Sequence, residues 1–532
     1  MMNTRYSLLA GLCLLLCTAP VVQAQSGALD LSFNQTGYVV APVNDLDVGQ
    51  KILVQDDQKV LLIGMSFDAT YTARAYVYRY MPDGTLDATF GDNGVVSYAL
   101  GNEADIYSAV LTAEGKILLA GTTTDYQTYQ VLLIQLNVDG SKDTSFGTDG
   151  VQVQSVSVVV ESAEDIAYDV ALDATGNILV CGSTYSADTV RRPFVARFSP
   201  LGVLDTSFGV DGIASIPVLT VGGSSFQGIV VQPDGKIAAS GYFGNSELWY
   251  VMLVVRFNAD GSLDPSLGDA GVIKYNYGSV DDEGEDLTLT PDGSILVAGV
   301  TVTQTYNYSA LLVKFTPSGE LDTTFGNAGT VKEDIGTFDF ASSVEVMDDG
   351  RIVMGGSSGA APPGAFDLAV WKYHADGTPD MTFGTNGVAQ HVIPDYSTMI
   401  YGMGIQAYGK IVIGGQARTT TNQNYFFVGR LQNDLGTGIA ELNGPEGALV
   451  YPNPATENST VTMQLPGTIL ACARISLYAA DGRLVFASQV DGLQRDAQQI
   501  SFQLPTDLAP GIYQLAFLQE DTRHTASLII TQ

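Results

Sequence analysis

Four pairs of aspartates share the spacing DGxxD: Asp83 and Asp87, Asp139 and Asp143, Asp260 and Asp264, and Asp376 and Asp380. Two carboxylates so placed could begin a calcium site or cap a turn. Calcium takes about six to eight oxygens, and the alternating-Asp loop of an EF-hand is absent. Turn capping is therefore the expectation, with calcium the one cofactor kept open and no other expected. Ser357 lies in "GGSSG" (355–359), the pattern of a nucleophile elbow, but that motif needs a following helix and "AAPPGAF" follows instead. Of the three histidines, His374, His391 and His524, none is spaced with another His or a Cys as a metal site requires, and His374 in "YHADG" reads as a turn residue. No catalytic residue and no metal-ligand set is expected. Aromatic residues suited to stacking on sugar rings or peptide side chains are Tyr126, Tyr185, Trp249, Tyr306 and Tyr425. Each occupies a segment rich in Thr, Tyr, Asn and Gln; the alternative to binding is that they open the next strand and pack between sheets.

These residues sit on a repeat. Anchor residues fall at Phe33, Phe90, Phe146, Phe208, Leu267, Phe325 and Phe383, 56 to 62 residues apart, each in a corner close to GxLDxxFGxxG, with substitutions such as Lys142 and Leu267 showing that individual corners tolerate change. A second signature follows each anchor, beginning with "DDQKVLLIG" (56–64) and "AEGKILLAG" (113–121) and ending with "AYGKIVIGG" (407–415). Asp-Gly and Glu-Gly pairs between apolar runs are hairpin signals, because Gly accepts the positive φ of a tight turn. One unit reads as four antiparallel strands, and no repeat segment sustains a 3.6-residue apolar period, so almost no helix is expected. In the corner, Asp caps the bend while Leu and Phe supply apolar surface between units.

Four-stranded units in series form a ring of blades or an open stack. A stack needs atypical capping repeats, and here the first and last units resemble the rest. The expectation is an all-β, seven-bladed β-propeller over residues 25–431. Its last unit stops after "YFFVGRLQND" without a corner, while "LDLSFNQTGYVV" (29–40) supplies one at the other end, so this segment should close the ring. The variable segments after each "ILLAG" strand would then gather on one face.

The ends carry different signals. Residues 1–24 have a basic start at Arg5, an apolar stretch over Leu8–Leu16 and "VQA" ending at Ala24, which reads as a signal peptide. Its removal would leave Cys181 and Cys472, too far apart in the repeat order for a disulfide framework. No other apolar run is long enough to span a bilayer. The net charge of −33 repels nucleic acid and anionic membrane, which removes both as partners. Residues 432–447, "QNDLGTGIAELNGPEG", read as a linker, and 448–532 as a small immunoglobulin-like β-sandwich with turns at Asp481-Gly482 and Pro510-Gly511.

Two resemblances follow from these motifs. The "LDxxFGxxG…DGKILLAG" unit resembles the delta-60 repeat of bacterial secreted proteins, which implies a seven-bladed propeller and nothing about activity. The tail motifs "YPNPA" (Tyr451, Pro452, Asn453, Pro454), "LYAADGRLV" (Asp481, Gly482, Arg483) and "LAPGIYQL" (Gly511, Tyr513) resemble the C-terminal sorting domain of the type IX secretion system of Bacteroidota. That resemblance implies the secretion machinery as a partner and a secreted or outer-surface location after periplasmic transit. The family often has Lys or Arg just before its last strand, whereas here the nearest basic residues are Arg523 and His524.

Three functions fit: a non-catalytic propeller, monomeric, binding an extracellular glycan or protein; a purely structural surface protein; and a polysaccharide-active enzyme using paired channel carboxylates.

Overall fold

The computed structural model describes residues 26–433 and 449–531, except 45, 71, 100–102, 126–127, 158–163, 186–189, 217–221, 245–248, 279, 361–364 and 407–408 in the first stretch. In the second it omits 452–454, 457, 465–473, 480–483, 490–493, 496–498, 507, 509–510 and 520–521. The expected signal peptide, most of the linker, Tyr126, Pro452, Asn453, Pro454, Asp481, Gly482 and Arg483 lie outside the described residues. The described residues form strands and turns, with no α-helix.

The first unit runs through an inner strand Leu46–Val54, a second Val60–Phe67, a third Ala73–Tyr80 and an outer strand Val95–Tyr98, each antiparallel to the one before. The same order recurs from inner strands Glu103–Leu111, Ile166–Leu172, Ser224–Val231, Asp281–Leu289, Phe338–Val346 and Tyr396–Ile405. In the seventh unit the outer strand is Tyr38–Ala41, which pairs with Asn424–Leu431 through Tyr38–Gly429 to Ala41–Phe426. The N-terminal segment therefore completes the last blade. Each inner strand contacts the inner strands on either side, including the first against the seventh, so the β-propeller ring is closed around an axis.

Apolar residues cover both faces of each sheet, and the cores lie between units. Leu61 and Ile63 of the first unit pack with Ile106, Ile117 and Leu119 of the second over Phe90. Ile52 and Leu62 meet Val412, Phe426 and Val428 of the seventh beside Phe33. All seven anchors are buried. The corner leucines are less covered than expected: Leu86 is 42% exposed and Leu29, Leu204, Leu263 and Leu321 are half-buried. The reason is local, since these residues bridge back to the end of the third strand, as Leu86 does to Tyr80, and so sit at the rim of the molecule.

The corner is the joint between blades. Backbone hydrogen bonds run from Asn34 to Asp83, Gly91 to Asp139, Gly147 to Leu201, Gly209 to Asp260, Gly268 to Ser318, Gly326 to Asp376 and Gly384 to Ser26, one per interface around the ring. Gly140 shows why the next turn needs glycine: its φ is +89°, and a Cβ there would lie 2.8 Å from the Phe90 ring.

The tail is a second β structure, two sheets packed on a shared core of Val461, Met463, Ile475, Leu477, Phe502, Leu515 and Phe517. The Tyr451 backbone ends the strand Leu449–Tyr451 and pairs with Thr462. Gly511 opens Gly511–Gln519, and Tyr513 is buried in the core.

Candidate functional site

The aspartate pairs are divided between two tasks. In the first corner Asp83 Oδ1 accepts from Thr85 N and Oγ1, an Asx turn. Asp87 Oδ1 caps Thr89 in the same way, while its Oδ2 lies 2.9 Å from Arg79 Nε and 3.3 Å from Lys59 Nζ. All seven corners hold such an ion pair: Asp30 with Arg430 and Lys410, Asp143 with Lys116, Asp205 with Arg197, Asp264 with Arg256 and Lys236, Asp322 with Lys314, and Asp380 with Lys372 and Arg351. Burial works to raise the Asp87 pKa, but hydrogen bonds from Thr89 and the Arg79 charge outweigh it and hold it at about 2. The carboxylate that calcium would use is already satisfied by the chain's own cations. Among the described residues no group of three or more His, Cys, Asp or Glu is placed to hold a metal ion.

Ser357 lies buried in the strand Ile352–Gly359, where its Oγ accepts from Ile400 N at 2.9 Å. His374 is in a turn closed by Thr378, and His391 Nε2 lies 2.7 Å from Gly27 O at the ring closure.

Strand register assigns the loops to faces. In the fifth unit Asp281, which begins the inner strand, pairs with Val302, which ends the second. The loop 303–307 therefore leaves from the end at which the unit starts, and the hairpin turn and the corner lie at the opposite end. The same register holds in every unit, so all variable loops share one face with the blade-to-blade connections. Buried aspartates hold those connections: Asp47 accepts from Val43 N and Asn44 N, Asp165 from Val156 N and Ser157 N, Asp282 from Tyr277 N, and Asp339 from Ile335 N and Gly336 N.

Around the axis, every inner strand carries a bulge, at Gln50, Tyr107, Tyr168, Gln227, Glu285, Ser342 and Tyr401. In the second, third and fifth units the residue after the bulge reaches across to another blade. Asp169 accepts from Ser108 Oγ at 2.6 Å and from Ile229 N at 2.9 Å, and Asp286 accepts from Val344 N at 2.9 Å. Burial pushes Asp105 up to about 6, and Glu283, Glu285 and Glu345 up to about 7.

At the variable-loop end of units three to five these groups meet a cluster of tyrosines. Arg191, at the start of a third strand, lies over the Tyr185 ring at 5.3 Å, and its Nη1 donates to Tyr242 Oη at 3.3 Å. Tyr242 and Tyr250 have ring centroids 4.6 Å apart, and Tyr168 packs against Tyr107 at 5.4 Å. Tyr250 N donates to Asp281 Oδ1, and Glu283 is close enough to act electrostatically on both Tyr242 and Tyr250.

Of the sequence-predicted aromatics, Tyr185 belongs to this cluster and Trp249, 36% exposed, directly precedes Tyr250. Tyr306, 65% exposed, sits on the same face in the fifth unit. Tyr425, half-buried in the seventh unit, donates to Gln423 Oε1. Neither of these two joins the cluster. Arg191, Tyr168, Tyr242, Tyr250, Glu283 and Glu285 were not singled out by the sequence reading. Two signals pointed to them: Arg191-Arg192 is the one adjacent Lys/Arg pair in the chain, and Tyr242 stands where other units carry Thr122, Ser183, Val300 or Ser357. A recess of about 210 Å³ lined by Tyr277, Gly278, Thr301, Thr303, Gln304 and Lys332 opens on the same face, away from the cluster.

Comparison with known proteins agrees with this architecture. Residues 55–90, 113–146, 174–208, 232–267, 290–325 and 348–383 match a β-propeller family described as a domain of unknown function. Each matched segment runs from a hairpin to an anchor, and the seventh hairpin has its corner at the other end of the chain. Residues 449–531 match the secretion system C-terminal sorting domain. No curated protein matches the chain. Similar solved structures include a polysaccharide lyase described as a PL25 ulvan lyase (10% identity, TM-score 0.41, covering 75% of this chain and 96% of that one). Others are a glucose dehydrogenase (14%, 0.33, 62% and 96%) and a β-xylosidase/α-arabinofuranosidase from a compost microbial metagenome (11%, 0.27, 70% and 96%). Likeness at this level assigns no activity. The sorting domain marks the chain for export, to the medium or the outer surface, and engages it with the secretion machinery. No described helix is long and apolar enough to cross a membrane.

Proposed function

We propose that this exported β-propeller is a non-catalytic binding protein whose variable-loop face takes an extracellular ligand, with a glycan favoured over a protein. The observation that carries the reading is the gathering of Tyr185, Tyr242 and Tyr250 around Arg191 on the face where the units differ most. Tyrosine rings give broad apolar contact with a polar tip, which suits the faces and hydroxyls of sugars. The face opposite is built from repeated turns whose polar groups are spent on one another. In this reading residues 1–24 are a leader, 25–431 the binding propeller, 432–447 a linker and 448–532 the sorting domain; the protein acts as a monomer without a cofactor. Export precedes binding, so the ligand is met outside the cell.

The test is a glycan and peptide array with the full mature chain, with and without calcium. Saturable glycan binding, lost in Tyr242→Ala with Tyr250→Ala but kept in a corner variant such as Asp83→Asn, supports the reading. Absence of any glycan or peptide binding contradicts it. Calcium-dependent binding would replace the cofactor-free part.

One observation favours a second reading, a polysaccharide-active enzyme: Glu283 and Glu285 are held near 7, a range suited to general acid–base work, beside the same tyrosines. Release of new reducing ends or unsaturated products from a polysaccharide, abolished in Glu283→Gln or Glu285→Gln, would establish it.

A further inference from the structure

Arg191, at the variable-loop end, differs from the arginines at the opposite end beside the blade joints. Arg79, Arg197, Arg256, Arg351 and Arg430 each hold an aspartate. Among the described residues Arg191 has no carboxylate within ion-pair distance; its guanidinium hydrogen-bonds only to Tyr242 Oη, and its Nε is buried without a partner. A buried donor left unmade is costly, and a guanidinium offers a planar fork of donors matched to a carboxylate or sulfate. This happens on a chain with net charge −33, where an intramolecular carboxylate is the easy partner to supply.

The chain passes close to the base of that arginine without a side chain at Gly223. The chain entering the neighbouring inner strand is small-sided, Gly222, Gly223, Ser224 and Ser225, before Phe226. A Cβ at Gly223 would come 3.0 Å from Arg191 Cβ, so any side chain there would crowd the base of the arginine. Beside the guanidinium stand the rings of Tyr242 and Tyr250, tilted 57° to each other, with Tyr185 under it. The result is a cationic fork beside a group of tyrosine rings.

Resting on the binding reading above, we propose that this arginine–tyrosine cluster is a subsite for an acidic sugar, whose carboxylate or sulfate seats on Arg191 while its ring lies against Tyr242 and Tyr250. The group of tyrosine rings favours a flat-faced ring over an acidic peptide side chain, which needs the fork alone. Glu283, held largely neutral by burial below about pH 7, faces the same tyrosines without adding a full opposing charge.

The experiment is calorimetric titration of the full mature chain with tetragalacturonate, its methyl ester, a sulfated carrageenan tetrasaccharide, cellotetraose and a tetraglutamate peptide. The proposal expects saturable binding of an acidic tetrasaccharide, at least tenfold tighter than the methyl ester or cellotetraose. Arg191→Ala should weaken that binding at least tenfold and Arg191→Lys should restore it only in part, with thermal unfolding confirming that each variant is folded. Preference for tetragalacturonate or for carrageenan decides between carboxylate and sulfate. If cellotetraose binds as tightly as the acidic sugars and Arg191→Ala changes nothing while Tyr250→Ala does, the acidic assignment falls and the glycan reading stands. If tetraglutamate matches the acidic sugars with the same dependence on Arg191, the sugar assignment falls. If nothing binds, both fall. Should Arg191→Ala fail to fold, Arg191→Gln, which keeps the stem and two donors, reads the same contrast.

Discussion

Lys51 Nζ of the first unit lies 3.9 Å from Asp169 Oδ1 of the third, a contact that passes over the second unit. Only a side chain projecting across the axis can make it. Asp286 and Glu345, of the fifth and sixth units, also raise the Lys51 pKa against the opposing effect of burial. Lys51 is the one basic residue on the described inner strands, so it serves carboxylates from several blades at once.

Lys51→Met should therefore destabilise the propeller. Removing one partner of a fully buried pair costs roughly 3–5 kcal/mol; the Lys51 side chain keeps 30% exposure, so solvent screening lowers the expectation to roughly 1–3 kcal/mol. Chemical denaturation at pH 7 measures it. An unchanged midpoint would mean that the axis is wet enough for the carboxylates to do without the lysine.

The two aspartates of a corner should behave differently. Asp264→Asn leaves Arg256 and Lys236 facing an uncharged partner at a site where Asp264 is 4% exposed, and should cost roughly 3–5 kcal/mol. Asp260→Asn keeps an Asx-type acceptor for Ser262 and should cost less than about 1 kcal/mol. Equal losses in denaturation would remove the division of labour between the pair.

The closing strand gives a third test. A chain starting at Val43 lacks Tyr38–Ala41 and with it the outer edge of the seventh blade, the Asp30 ion pair with Arg430 and the buried Phe33. Its melting temperature should fall by ten degrees or more, on the order of the effect of several kcal/mol on a domain of this size. A chain starting at Gln25 should melt as the parent does.

How much of this was legible in the sequence depended on reach. Corners and hairpins are local: Gly, Asp and the anchor ring sit within one dozen residues, so the repeat, the number of units and the closure by residues 29–40 could be read directly. The partners of the hairpin lysines are less local, since the corner aspartate of the same unit lies a third strand away: Lys59 reaches Asp87, and Lys410 reaches Asp30 at the other end of the chain. The site was harder still. Arg191 and Tyr242 are 51 residues apart on different units, so their meeting has no local signature.

Stability should peak on the acid side of neutrality. The folded pKa values of Asp105, at about 6, and of Glu283, Glu285 and Glu345, at about 7, stand above the ordinary 3.8 and 4.5. The folded chain thus binds more protons than the unfolded one through that interval, and stability falls as pH rises from about 4.5 to 7. Asp87 and Asp292, held at about 2, act in the other direction: their contribution is present above 3.8 and lost as pH falls toward 2. The melting temperature measured from pH 3 to 8 at constant ionic strength should be highest near about pH 4.5, and Glu285→Gln should flatten the neutral limb. A maximum at pH 7 or above would contradict the inward-held carboxyls.

The most direct test of the account is where the ligand lands. Hydrogen–deuterium exchange of the full mature chain, free and saturated with whichever array glycan binds most tightly, resolves the two faces of the ring. Added protection is expected around Tyr185, Arg191, Tyr242, Tyr250 and Glu283, with no change at the corners around Asp87, Asp143 and Asp264. Protection confined to the corners, with the variable-loop face unchanged, would contradict it.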